Sequence, residues 1–427
     1  MIKKQISQYG IVALLALLCA CSSGRTTIQA YNGKSKANTI STAKDNSSAA
    51  VRFLGVGWNI GNHLDSHNNG MAGETAWGNP AATQAAFDAV KRAGFTSVRI
   101  PVTWLGKIGS APDYKVDKAW LDRVAEIVEY ARKAGLNAIV NIHHDGSDSQ
   151  HWVNIAAAAK SDSVNTQVKR QLAAVWTQIA NKFKNYGDFL MFEALNEIHD
   201  GGWGWGENRK DGGKQYKVLN EWMQVFVDAV RATGGNNKKR WLGICGYCAN
   251  ADLTMEHLVI PRDPAKNRLM ISVHYYGPTE YTLSCKFSEW GHTAATNKKA
   301  SDDMDECNVT KVFGELKTAF IDKGYPVYIG ETGNSYRGNS HDEAFRKYFL
   351  EYIAKAARDN GLAMIIWDNG LTAPGAESHG YINHATGEYI NNSKEILKAF
   401  TGGYNNNDPN YTLEKVYEKA PKSDKNI

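Results

Sequence analysis

Two glutamates stand directly after short apolar runs, Glu197 behind Ala194-Leu195-Asn196 and Glu331 behind Tyr328-Ile329-Gly330. Two carboxyl groups facing each other roughly 5 Å apart can break a glycosidic bond: the protonated one donates to the leaving oxygen while the ionised one attacks the anomeric carbon. Residues suited to support such a pair end other apolar runs: Trp58-Asn59, Arg99, His143-His144-Asp145, Asn196, His274-Tyr275-Tyr276 and Trp367-Asp368-Asn369. Packing alone would scatter ionisable residues, so their repeated place at run ends points to one functional face. Trp203 and Trp205 alternate with glycines across residues 201–206, a composition that cannot build a helix core. They are either a packed loop anchor or, as exposed rings usually are, an edge that binds ligand by stacking. Trp290 is a further stacking candidate, and His151-Trp152 another that can equally be core. The histidines and aspartates near these sites are metal-ligand types, but no His-Glu-x-x-His or Cys/His zinc spacing is present, and no metal or other cofactor is expected. A Gly-x-Ser-x-Gly turn for a serine nucleophile is missing as well.

Positioning those residues requires a repeated scaffold. Apolar residues recur every three or four positions at Leu121, Val124, Ile127, Val128 and Ala131, at Leu172, Val175, Trp176 and Ile179, at Leu219, Trp222, Met223, Phe226 and Val230, and at Phe345, Tyr348, Phe349, Tyr352 and Ile353. That is the spacing of amphipathic helices. Between them and the weaker helical patterns lie eight short β-type runs: residues 53–57, 97–100, 137–142, 189–195, 241–244, 270–273, 327–329 and 363–366. Strands alternating with helices predict a parallel sheet closed into a (β/α)₈ barrel, whose active sites lie at the C-terminal ends of the strands. An open doubly wound sheet is the alternative, but Gly55, Gly57 and Gly61 do not make its Gly-x-Gly-x-x-Gly phosphate turn.

The ends add a location. Lys3 and Lys4 precede an apolar run at 11–18 and then Leu18-Cys19-Ala20-Cys21, the layout of a cleaved export signal and too short for a permanent membrane span. The expectation is a signal over 1–20, acylation of Cys21 as in bacterial lipoproteins, a flexible Ser/Thr/Asn/Lys tether over 21–50, one catalytic domain over 51–402 and a C-terminal tail over 403–427. The protein is then exported and touches a membrane only through that lipid. With 49 Lys+Arg against 44 Asp+Glu the charge is nearly balanced, which argues against a nucleic-acid partner, and a monomer is expected. Cys285 and Cys307 lie in one long segment without clear periodicity and are expected to form a disulfide, while Cys245 and Cys248 lack the βαβ context of a redox pair.

The motifs Gly57-Trp58-Asn59-Ile60-Gly61-Asn62, Glu74-Thr75-Ala76-Trp77-Gly78-Asn79-Pro80, Val98-Arg99-Ile100-Pro101-Val102, Leu195-Asn196-Glu197, Gly330-Glu331-Thr332-Gly333 and Trp367-Asp368-Asn369-Gly370 occur in order from about residue 51 to 400. Together they resemble glycoside hydrolase family 5, in particular its subfamily-4-like branch of endo-β-1,4-glucanases and xyloglucanases. The resemblance implies a single barrel domain that hydrolyses β-1,4-linked glucan with retention and without a metal. It implies Glu197 as acid/base, Glu331 as nucleophile and Arg99 holding Glu331 ionised; a second charge beside an ionised Glu331 is disfavoured, so the Glu197 pKa is expected to be raised. It also implies His143, Asn196, His274, Tyr276 and Trp367 around the sugar, which Asn59, His144 and Asn369 join as polar residues at run ends and Trp203 and Trp205 as stacking candidates. A mannanase or xylanase of the same mechanism, or a glycan-binding lipoprotein without catalysis, are the alternatives. Ile198, Thr332 and His63 depart from the usual residues at their positions, which bears on the preferred polysaccharide.

Overall fold

Strands covered on both faces read as continuous apolar runs, and every residue of the eight barrel strands except Asn137 and Trp367 is buried. They are β1 (Val56–Ile60), β2 (Ser97–Ile100), β3 (Asn137–Asn141), β4 (Leu190–Glu193), β5 (Leu242–Cys245), β6 (Leu269–Tyr275), β7 (Val327–Thr332) and β8 (Ala363–Asp368). Each pairs in parallel with the next and β8 pairs with β1, closing the barrel. The computed structural model describes Asn46, residues 51–146 and residues 151–423. The expected signal, Cys21 and all of the tether except Asn46 lie outside the described residues.

A helix follows each strand: α1 (Gln84–Arg92), α2 (Lys118–Ala134), α3 (Asp162–Lys182), α4 (Lys214–Ala232), α5 (Ala251–His257), α6 (Glu306–Ala319), α7 (Ser340–Asp359) and α8 (Ser393–Asn405). Local chemistry sets their ends. In α2 the Asp117 side chain accepts from the Trp120 amide, Gly135 closes the helix at φ 71°, and Trp120, Val124, Ile127, Val128 and Ala131 form the buried stripe.

Inside the barrel the two-residue pleat separates chemistry by height. Ile139, Met191, Met270, Tyr328, Ala363 and Ile365 form an inner core with Leu54 and Trp241, distinct from the larger core beneath the helices. Two residues further along their strands stand Asn141, Glu193 and Ser272, all buried. At β7 the alternation is broken: Val273 pairs with Ile329 but His274 pairs with Glu331, leaving Gly330 as an extra residue. A bulge of this kind re-aims the following side chain, and it turns Glu331 into the barrel above Tyr328. A Cβ on Gly330 would stand 3.1 Å from Ser272 Oγ and 3.2 Å from His274 Nε2.

Several expected boundaries move. Residues 51–54 are helical, so β1 begins at Val56 rather than Phe53, and Leu54 becomes part of the barrel floor. Gly55 makes the turn at φ 55°, where a Cβ would meet Thr96 Oγ1 at 2.5 Å. The domain extends beyond 51–402. Asn46 donates to Gly324 O at 2.9 Å, α8 runs through residue 402, Tyr404 donates to Leu362 O at 2.8 Å, and Val416 is buried in the outer core. The expected disulfide does not form: Cys285 and Cys307 are both free thiols, as are the buried Cys245 and Cys248 outside that segment. Packing replaces the staple. Trp290 is buried against Tyr348, Phe349 and Tyr352 rather than offered to a ligand, and Lys299 bonds Asp305 at 2.6 Å.

Candidate active site

Arg99, buried at the end of β2, organises the barrel mouth. Its NH1 donates to Glu331 Oε1 at 2.7 Å and to Asn59 Oδ1 at 3.1 Å, its NH2 to Asn196 Oδ1 at 2.7 Å, and its Nε to Glu193 Oε2 at 2.8 Å. Tyr276 donates its hydroxyl to Glu331 Oε2 at 3.2 Å. His274 Nδ1 lies 2.7 Å from Glu197 Oε1 and 3.7 Å from Glu331 Oε2. A carboxylate oxygen from each glutamate and a His274 ring nitrogen all fall within 4.8 Å of one another. β4 ends at Glu193, so Glu197 projects from the loop above and keeps 21 % of its side chain exposed against 8 % for Glu331. His143 Nε2 is 3.8 Å from Glu331 Oε1, and its ring lies nearly parallel to Trp367 with centroids 5.8 Å apart. The Trp367 indole packs so closely on Gly61 that a Cβ there would meet it at 2.5 Å. This geometry brings two carboxyl groups, an imidazole and an aromatic floor around a single point.

Residues 29–372 match Cellulase (glycosyl hydrolase family 5). The chain belongs to glycosyl hydrolase family 5. It is 35 % identical over 344 residues to Endoglucanase A of Paenibacillus barcinonensis, covering 77 % of this chain and 82 % of that protein. It is 33 % identical over 335 residues to a xyloglucan-specific endo-beta-1,4-glucanase of Bacteroides ovatus, covering 75 % of this chain and 64 % of that protein. Among solved structures, a GH5-4 broad specificity endoglucanase from Bacteroides salanitronis superposes with a TM-score of 0.82 at 55 % identity, covering 88 % of this chain and all 100 % of that one. A Bacteroidetes-affiliated GH5 cellulase linked with a polysaccharide utilization locus gives 0.87 at 47 % identity, covering 89 % and 99 %. This family 5 protein is therefore a glycoside hydrolase of the cellulase type, and the family works with retention.

The electrostatics of this family 5 site differ from the sequence expectation. Burial opposes ionisation of Glu197, but the His274 imidazolium overcomes it and carries the carboxyl below its ordinary range. Burial raises Glu331 above that range in spite of His274 and Arg99, and the Glu197 charge adds to the rise. The expected order, a raised Glu197 and a depressed Glu331, is thus reversed. Glu193 shares the Arg99 charge on which Glu331 depends. It draws on the same guanidinium, at 2.8 Å from Nε and 2.7 Å from NH2, and also accepts from Asn141 at 2.8 Å, Ser272 at 2.8 Å and Tyr328 at 2.6 Å. Burial opposes the Glu193 charge as well, yet Arg99 and the Tyr328 hydroxyl hold it below the usual range. One cation therefore serves two carboxylates.

Other expected positions divide. Asn196 and His143 stand in the site, and His144 lies beside it with its ring 5.4 Å from that of the exposed Trp77. Asn59 is fully buried with its amide donating to Gly330 O and Ile366 O and its carbonyl accepting from Arg99, so every polar atom of its side chain is spent on bracing the barrel. Asn369 is also a brace, donating to Glu377 O and accepting from the Leu371 and His379 amides. Trp203 stacks on His199 with centroids 4.2 Å apart, two residues from Glu197, whereas Trp205 turns to Arg209. Sequence reading missed Glu193, whose signal was a charge inside the apolar run 189–195, and Trp77, which lies within a motif read only for resemblance. A second cluster that could ligate an ion, Asp65 with His143 and His144, has Asp65 already accepting from the Asn62 and His63 amides.

Proposed function

We propose that this enzyme is an endo-acting β-1,4-glucanase for cellulose-like, mixed-linkage or xyloglucan chains, with Glu331 as nucleophile and Glu197 as acid/base. The observation that carries this reading is that one oxygen of each carboxylate lies within 4.8 Å of the other, the close pairing of a nucleophile and an acid rather than the ~6.5–9.5 Å separation of an inverting pair. His274 and Glu197 together hold one proton across their 2.7 Å contact. When a glycosidic oxygen docks on Glu197, that proton passes to the carboxyl and then to the departing oxygen as Glu331 bonds to the anomeric carbon. Arg99 and Tyr276 stabilise the Glu331 carboxylate before attack and receive it again when the ester is cleaved. Glu197, now ionised, takes a proton from water, which displaces Glu331 and restores the starting charges. Asn196, its carbonyl fixed by Arg99, presents its amide to the 2-hydroxyl of the reacting sugar.

The names of the relatives support a glucan substrate, and the open aromatic flank of the cleft suits an internal segment of chain. Proton NMR of the first products from mixed-linkage glucan, cellulose-like glucan and xyloglucan tests the proposal: β-anomers and a mixture of oligosaccharide sizes are expected. α-Anomers first, or activity confined to mannan or xylan, would overturn it. We also propose export with acylation at Cys21, supported by Leu18-Cys19-Ala20-Cys21 and the polar segment after it. Intact mass of the membrane-extracted protein should show a diacyl or triacyl group, and an unmodified mature chain would count against the anchor.

A further inference from the structure

Trp203 and Trp205 belong to one loop but face different surroundings. Trp203 lies over His199 beside Glu197, while Trp205, 80 % exposed, lies against the Arg209 guanidinium at 4.5 Å from the ring centroid. The loop holds them apart rigidly. Asp200 accepts from the Gly202 amide at 3.0 Å, the Asn208 amide at 2.9 Å and Gln215 at 3.1 Å, and burial of its carboxyl is overcome by those donors, so it stays ionised below its ordinary range. Asn208 donates to Gly204 O at 3.1 Å and to the Tyr216 hydroxyl at 2.9 Å, and Arg209 Nε donates to Gly204 O at 2.7 Å. The loop thus holds the Trp205 indole, a flat amphipathic ring with its own polar handle, fixed in solvent.

Beside Arg209 opens a groove of about 890 Å³ along the first turns of α4 and the chain after α5. Tyr216 and His257 stack at 3.7 Å and 13° along it, and Lys217, Glu221 and Glu256 stand on its sides. The volume is within the ~300–1,000 Å³ of small-ligand sites. Its charges balance, Arg209 and Lys217 against Glu221 and Glu256, so it exerts no net pull on an ion and suits a neutral ligand rich in hydroxyls. None of its lining residues touches Glu197 or Glu331 in the described structure, yet it joins the cleft through the loop that carries Trp203.

We propose that this groove, with Trp205 at its entrance, is a second binding surface for a neutral β-glucan strand, separate from the catalytic cleft. The proposal rests on the glucanase reading above. A polymer held there keeps its reducing or non-reducing continuation near the cleft and raises the local concentration of cleavable bonds, which a short oligosaccharide cannot exploit.

The test uses the full chain with Trp205→Ala, and separately Lys217→Ala with Glu256→Ala, whose side chains are exposed. Affinity electrophoresis through mixed-linkage glucan is run in a Glu331→Ala background so that the gel is not digested, and kinetics are measured with the otherwise native enzyme on polymer and on cellotetraose. Retardation by glucan should weaken about tenfold in the Trp205 variant and measurably in the other. The KM on polymer should rise while kcat/KM on cellotetraose stays that of the parent, which also reports intact folding. Unchanged retardation in both variants, or parallel losses on cellotetraose, would overturn the second surface. A parent that neither cleaves nor is retarded by any β-1,4-glucan would instead overturn the glucanase reading.

Discussion

Along the same strands, the barrel interior passes from Ile139, Met191 and Met270 to Asn141, Glu193 and Ser272 within one pleat period. Apart from the Tyr328 hydroxyl, which donates upward to Glu193, the lower layer is held by contact, and apolar side chains of similar volume could fill it. The upper layer is held by charge and hydrogen bonds in which Arg99, Glu193, Asn196 and Glu331 each depend on a named partner. A substitution below should therefore cost stability and spare chemistry, and a substitution above should change chemistry first.

The sharpest separation is expected at the reacting carboxylates. Glu331→Ala should lower kcat on glucan by on the order of 10⁴-fold or more, the scale of losing a covalent nucleophile. Azide should partly restore it with inversion at the anomeric carbon. Glu197→Ala should cost ~10²–10⁴-fold on polymer, the usual range of a general acid, and much less on an aryl glycoside with a good leaving group. Its azide product should be retained. Chromatography and NMR of the two azide products check the roles: the opposite stereochemistry would exchange them.

Next come two stability changes that set the layers against each other. Glu193→Ala leaves Arg99 buried without one of its two carboxylates, and the unfolding free energy should fall by about 3–5 kcal/mol. Met191→Ala, one pleat below, opens a cavity and should cost a similar ~2–5 kcal/mol. Urea unfolding measures both. The comparison breaks if Met191→Ala, while still folded, changes kcat/KM as strongly as Glu193→Ala.

A smaller effect concerns pH. With Glu331 as the proposed nucleophile, catalysis needs it ionised, and its raised pKa should place the acid limb of kcat/KM above the ordinary glutamate range of ~4.3, with activity lost as pH falls through that raised value. Glu193→Gln removes the competing charge, releases Arg99 toward Glu331 and should move the acid limb to lower pH. Stability should respond with its own sign. Glu193 is depressed in the folded state, so its contribution is present above the unfolded carboxylate pKa and lost as pH falls toward the folded one. In Glu193→Gln that acid-side loss should shrink. An unmoved acid limb would show that Glu193 does not compete for Arg99.

Periodicity, run ends and the paired glutamates were all legible because a barrel repeats one local unit, and local units are what spacing encodes. Eight runs and the polar residues after them therefore placed Arg99, Glu197, His274, Tyr276, Glu331 and Trp367 on one face from sequence. Tertiary structure alone decided which polar groups share a partner. Nothing in the neighbourhood of Glu193 announces that Arg99, 94 positions earlier, must serve it as well as Glu331. The bulge at Gly330 likewise depends on pairing with β6, and it determines that Glu331 faces inward. Asn59 and Asn369 have the composition of sugar ligands and became braces, because hydrogen-bond partners are assigned by distances in space. The free state of Cys285 and Cys307 has the same origin: proximity in sequence suggested a bridge, but the buried Trp290 and the Lys299–Asp305 pair already order the segment between them.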